Sequence, residues 1–288
     1  MPLGAPPPAT EAACLCGAPA VRSASVLVAT EQGDLLVFGG EADVHQHRAG
    51  RGLGDVWTLR PPSGGWEPHS CPQVRWAGPW KCHATAGEAV PTARSNHAAA
   101  SCGEHLFVFG GWSSDGRRPL AHPELLHLGT RCWTECATTN APPPPRGNPS
   151  LVYSAPRHLA VVYGGWDLRE RLDDVWCLDM ESWTWHRAAL RGGHGRVDAD
   201  DDEAPCARTD HAAVLWQEGP QREHMLVFGG STGEGASDEL WSLDCSGGEP
   251  AEWRWADKRR GAAAARGRPR GPRTRPASPA PARARGCS

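Results

Sequence analysis

Four side chains of the zinc-binding types fall in one short stretch, HSCPQVRWAGPWKCH, as His69, Cys71, Cys82 and His83. Their spacing is not the paired Cys-x₂-Cys arrangement of a structural zinc site, so the stretch reads as an ordinary loop and no metal is expected. The acidic run Asp198–Glu203 could draw a cation, but it lacks the alternating ligands and the turn glycine of a calcium loop and reads as a solvated segment. No Gly-x-Ser-x-Gly turn, His-Glu-x-x-His helix or phosphate-cradling glycine loop occurs. His97 and His211 hold matching places in two similar segments, a recurrence that points to structure, with each ring hydrogen-bonded at the start of a strand. The recurrent reactive type is arginine. Arg22, Arg94, Arg146 and Arg208 lead RSASVLVA, RSNHAAAS, RGNPSLVY and RTDHAAVL, and a guanidinium is a rigid donor fork suited to carboxylates.

These arginines head a unit that occurs four times. Each leads a short apolar or alternating segment, and a second segment then runs into Gly39-Gly40, Gly110-Gly111, Gly164-Gly165 or Gly229-Gly230. A third follows as DVWTL, ELLHL, DVWCL or ELWSL, and a fourth lies at Trp66, Trp133, Trp183 with Trp185, or Trp253 with Trp255. Segments of four to six residues punctuated by Gly, Pro and Asp are strands. Each unit is therefore a four-stranded sheet that must stack on its copies, with Trp66, Trp133, Trp183 and Trp253 as anchors. The glycines end the second strand where positive φ and close backbone approach are needed.

This pattern resembles the kelch-repeat family, whose blades carry a Gly-Gly pair, then an aromatic residue and then a tryptophan. The R-x-x-H entries at Arg94 and Arg208 and the run LDDVWCLD are more similar to the Rab-effector and light-receptor kelch proteins than to those with a BTB domain. The resemblance implies an all-β, kelch-type β-propeller over residues 19–257, with blades at about 19–68, 91–136, 143–187 and 205–257. Residues 1–18 and 258–288 are expected to be disordered. Four blades stand at the lower limit of about 4–8 for propellers. A closed ring, an open arc completed in an oligomer and part of a longer propeller all fit.

In such an antiparallel meander the loops from second to third strand and the crossings between blades share one face. Most of the long segments fall there, and long loops on a rigid scaffold carry binding residues. The arginines open onto the same face, so Arg22, Arg94, Arg146 and Arg208, with Trp112 and Trp166 directly after two of the Gly-Gly pairs, are the candidate contacts for a partner. The expectation is a non-catalytic interaction scaffold that holds an acidic or carboxylate-bearing peptide, without cofactor. The resemblance also brings enzymes into view. A copper oxidase would need tyrosine and cysteine chemistry, yet Tyr153 and Tyr163 occupy ordinary strand positions of one blade. An iron-dependent specifier type would use Glu234 and Asp238, but Ser242 stands where a further ligand would fall.

Charge narrows the partners further. The chain of 288 residues has net charge −3, but the stretch from Lys258 holds ten basic residues and no acidic one, which leaves the remainder at −13. Such a tail of Arg, Pro, Ala and Gly cannot offset its ordering entropy. It offers only weak, salt-sensitive attraction to nucleic acid, so nucleic acid is not the expected partner. Eleven scattered cysteines and the absence of a long apolar run fit reduced thiols in a cytoplasmic or nuclear protein without membrane insertion.

Overall fold

The computed structural model describes residues 19–42, 52–60, 80–83, 85, 90–116, 118–188, 190, 204–219, 222–246 and 253–257. They form four four-stranded antiparallel sheets, each a blade of a β-propeller. The first blade contains Val26–Ala29, Leu35–Phe38, Val56–Leu59 and Lys81–His83. The second contains Ala98–Cys102, His105–Phe109, Glu124–His127 and Trp133–Glu135. The third contains Ser150–Ser154, Leu159–Tyr163, Val175–Asp179 and Thr184–Arg187. The fourth contains Ala212–Gln217, Glu223–Phe228, Leu240–Asp244 and Arg254–Asp257. The termini at 1–18 and 258–288, the acidic run Asp198–Glu203 and the residues His69 and Cys71 lie outside the described residues.

The mostly apolar second strands follow from burial on both faces, since alternate side chains of one strand serve two neighbouring blades. In the second blade, Leu106 and Val108 pack with Leu36, Phe38 and Val56 of the first blade. Phe107 and Phe109 pack with Ala160, Val162 and Leu178 of the third. Each such core is closed by tryptophan from the outer strand of the later blade. Trp133 lies 5.0 Å from Phe38, Trp185 lies 5.5 Å from Phe109, and Trp255 lies 5.0 Å from Tyr163 (ring centroids). A buried aromatic removes roughly 150–250 Å² from water, so Trp133 and Trp185 each dominate one interface, while the expected anchor Trp253 is fully buried in the third together with Trp241 and Trp255.

One expectation about an outer strand and one about an anchor are corrected. The strand that pairs on the outer side of the first blade is Lys81–His83, with Cys82 opposite Trp57 and His83 opposite Val56; Trp66, the expected anchor, lies outside the described residues. The first blade therefore runs beyond residue 68. The stretch from Glu67, expected to cross to the second blade, contains the first blade's own fourth strand. Lys-Cys-His has neither alternation nor an aromatic to mark it as a strand, so only pairing reveals it. In the third blade Trp183 sits in the turn before the outer strand, half-buried at φ +54, and Trp185 opposite Leu178 is the anchor.

The Gly-Gly pairs end the second strands with both residues at positive φ, as in Gly164 (+65) and Gly165 (+105). A Cβ on Gly164 would lie 2.9 Å from the Arg208 carbonyl oxygen and 2.9 Å from His211 Cε1. The next blade thus enters at the height of the glycine. Replacing Gly164 with Ala should cost about 1–3 kcal/mol, from backbone strain and displacement of that carbonyl. Urea unfolding of the variant checks this, and an unchanged midpoint would mean that the contact yields freely.

Candidate functional site

The four recurrent arginines share one geometry. Each Nε donates to the carbonyl two residues earlier (Ala20, Thr92, Pro144 and Cys206) at 3.1–3.2 Å. Each Nη1 donates to the carbonyl of the first glycine of its own blade's Gly-Gly pair: Gly39, Gly110, Gly164 or Gly229. The remaining donors meet the acid that opens the third strand. Arg22 grips Asp55 at 2.7 and 2.8 Å and Arg146 grips Asp174 at 2.6 and 3.0 Å, both bidentately. Arg208 reaches Glu239 at 2.8 Å, and Arg94 pairs with Glu124. The indoles of Trp57, Trp176 and Trp241 donate to the same acids. The sequence pair "D/E-x-W" is thus a local device in which the tryptophan two residues on supplies a second donor to the carboxylate.

These contacts correct the expected arginine pocket. Arg94, Arg146 and Arg208 are 1%, 0% and 0% exposed, and Arg22 is half-buried with its donors taken. Each fork already holds a carboxylate of the chain itself, so the four tie the second and third strands together and do not face a ligand. Electrostatics follow the donor count. Burial pushes the Asp55, Asp174 and Glu239 carboxyls up, but bonds from arginine and indole outweigh it and hold all three below the ordinary carboxylate value. In the second blade Leu126 stands where the others carry tryptophan, and burial holds Glu124 above its ordinary value despite Arg94.

The expectation for the histidines is corrected in part. His211 Nε2 lies 2.8 Å from Ser150 Oγ, and the ring packs edge-on to Tyr163. Neither ring nitrogen of His97 has a hydrogen-bond partner among the described residues, and the ring packs edge-on to Phe38 at 5.1 Å. Desolvation, followed by the nearby arginine, lowers His97 to about 3 and His211 to about 4. His83 Nε2 is 2.7 Å from Thr58 Oγ1, and Cys82 stands beside it on an exposed edge strand. Burial raises the thiols of Cys102 and Cys136 to about 12 and that of Cys245 to about 11, which keeps them protonated at neutral pH.

Beyond the arginines, the loop face carries a second ring that sequence reasoning missed. Two residues after each arginine the backbone turns left-handed, at Ala24, Asn96, Asn148 and Asp210 with φ between +53 and +58. Asn and Asp tolerate this conformation best among residues with side chains, a signal readable in three of the four segments. Asn96 N donates to Ala24 O at 2.9 Å and Asn148 N to Asn96 O at 2.8 Å. The Asn148 side-chain amide donates to both Asn96 and Asp210. These bonds strap successive blades together at the inner rim.

Trp112 and Trp166 stand beside this rim with ring centroids 5.7 Å apart. Trp112 is buried and donates from Nε1 to Asn148 Oδ1 at 3.2 Å. Gly147 leaves the space, since a Cβ there would fall 2.0 Å from that indole nitrogen. Trp166 is 41% exposed and pairs with Gly147 on one side and Arg171 on the other. Between Trp166 and Arg171 the chain makes a tight turn. Asp167 Oδ1 accepts from the Arg169 and Glu170 amides at 2.9 Å, and those bonds, Glu170 first, lower its carboxyl below the ordinary value. Leu168 is held at φ +86 with 51% of its surface exposed. An exposed leucine in a strained conformation is a feature that folding alone does not favour.

The comparisons with known proteins agree with this architecture. The model of the KLHDC2/KLHL20/DRC7 Kelch-repeats domain matches residues 9–197. The chain belongs to the kelch-repeat family. It is 27% identical over 239 residues to the F-box/kelch-repeat protein At1g51550 of Arabidopsis thaliana, covering 77% of this chain and 41% of that one. It is 30% identical over 159 residues to acyl-CoA-binding domain-containing protein 5 of the same organism (55% of this chain, 22% of that one). To dynein regulatory complex subunit 7 of Chlamydomonas reinhardtii it is 26% identical over 164 residues (52% and 13%). The matched region is thus about two fifths of the length of the first of these, a fifth or so of the second and an eighth or so of the third. Among the described residues no group of three or more His, Cys, Asp or Glu could hold a metal ion.

Proposed function

We propose that the protein is a non-catalytic interaction module that binds a segment of a partner protein on the face formed by the inner-rim turns and the loops after the Gly-Gly pairs. The observation that carries this reading is the ledge of Trp112, Trp166 and Leu168, where the buried Trp112 indole backs the exposed Trp166 indole beside a strained, exposed leucine. Tryptophan is enriched among the few residues that dominate interface energies. Kelch-repeat relatives, among them a subunit of a regulatory complex, support an interaction role for this fold. An apolar side chain of the partner would lie against Trp166 and Leu168. The carboxylate chemistry expected of the partner transfers to the exposed Arg169 and Arg171 of the same turn, because the four inner arginines have none to spare.

A random peptide display library selected against the protein tests this. Selected peptides should carry an apolar residue next to an acidic one, and should bind Trp166→Ala at least tenfold more weakly. Arg171→Ala should weaken them by a smaller factor. Peptides that bind Trp166→Ala as well as the parent would remove the ledge from the interface, and acidic residues without enrichment would remove the role of Arg171.

A further inference from the structure

Three apolar cores join the four blades, and among the described residues none joins the fourth blade back to the first. The repeat makes the consequence readable position by position. The aromatic that ends the second strand is fully buried by the following blade in the first three blades, as Phe38, Phe109 and Tyr163. Its counterpart in the fourth, Phe228, is 54% exposed. On the inner strand the matching positions Val28, Ala100 and Val152 pack into the cores toward the next blade, whereas Val214 is 59% exposed. At the other end the pattern is complementary. Ala99, Leu151 and Ala213 turn back toward the preceding blade and pack there, while Leu27 at the same position of the first blade is 63% exposed.

The two ends of the arc therefore hold the two halves of one interface that the chain builds three times internally. We propose that a second copy of this chain fills them: the first blade of each copy packs on the fourth blade of the other, and the two arcs close into one eight-bladed ring. Three in-chain interfaces show what covers such a face, namely the inner strand of a further blade, and this chain carries such a blade with the matching face open. Head-to-tail contacts of this kind form rings when their rotation closes, and eight blades fall within the range of roughly 4–8 that propellers adopt. The inference is independent of the partner-binding ledge, which lies on the loop face and not on the blade edges.

Light scattering after size exclusion of the full 288-residue chain should give twice the chain mass. Phe228→Asp and Leu27→Asp, both at exposed positions and checked for folding by circular dichroism, should each run as monomers. Mixing the two variants should restore a two-copy species, because the intact fourth blade of one meets the intact first blade of the other. A monomeric parent, or a dimer that survives both substitutions, would overturn the proposal. So would a mixture that stays monomeric, since that indicates a symmetric contact, and a species larger than two copies, which excludes closure at eight blades.

Discussion

Replacing Arg146 with Met is expected to cost about 3–5 kcal/mol, the range for removing one partner of a buried ion pair. Arg146 is fully buried and Asp174 nearly so. Among the described residues, the substitution leaves the Asp174 carboxylate with only the Trp176 indole as a side-chain donor, and it removes the donor that Arg146 gave the Gly164 carbonyl. A cost of that size is a large share of a typical domain's 5–15 kcal/mol. Adding Asp174→Leu should recover part of the loss, because replacing both members of a buried pair removes the stranded charge. Urea unfolding of the single and double variants measures both effects. If Arg146→Met unfolds within about 1 kcal/mol of the parent, the pair is solvated and the arginine is free to serve a ligand.

Stability should begin to fall near pH 6.5, well above the range in which carboxylates titrate. His97 and His211 are lowered to about 3 and about 4 in the folded protein, whereas an unfolded histidine titrates near 6.5. Below pH 6.5 the unfolded chain therefore takes up protons that the folded one refuses, and stability rises with pH wherever the unfolded state binds more protons. Each histidine contributes roughly 1.4 kcal/mol per pH unit in this window, or about 4 kcal/mol for the pair between pH 6.5 and 5. The lowered carboxylates Asp55, Asp174 and Glu239 have the same sign but act lower, where their unfolded counterparts begin to protonate near pH 4. Denaturation midpoints at pH 7.5 and 5 separate the windows. The parent should lose about 4 kcal/mol by pH 5, and the variant His97→Leu with His211→Leu should lose clearly less. A parent equally stable at both pH values would mean that the histidines protonate in place.

The repeat itself was legible because its signals are local. Gly-Gly after an apolar run marks a strand end, and four copies of that run with a tryptophan downstream require stacked four-stranded sheets. The third strands could be read for the same reason, since DVW and ELW each bring an acid and its indole donor within two residues. The outer strand of the first blade could not be read. Lys81, Cys82 and His83 become a strand through pairing with Thr58, Trp57 and Val56, and nothing in their own types announces it.

The arginines show how far a correct local reading goes. Their recurrence at one place in each unit was visible, and so was their affinity for carboxylates. Which carboxylate they would hold depends on strands some thirty residues apart in sequence, as with Arg146 and Asp174. The same holds for the ledge. The order of residues put Trp112 and Trp166 directly after their glycines, but only packing across Gly147 brings the two indoles together and leaves Trp166 outside. Sequence alone determined the sheet, its repeat and the family, because strand period and turn chemistry act over a few residues. Tertiary structure decided which charges are satisfied internally and which surfaces remain for another molecule, because burial is set by neighbours that the chain reaches only after folding.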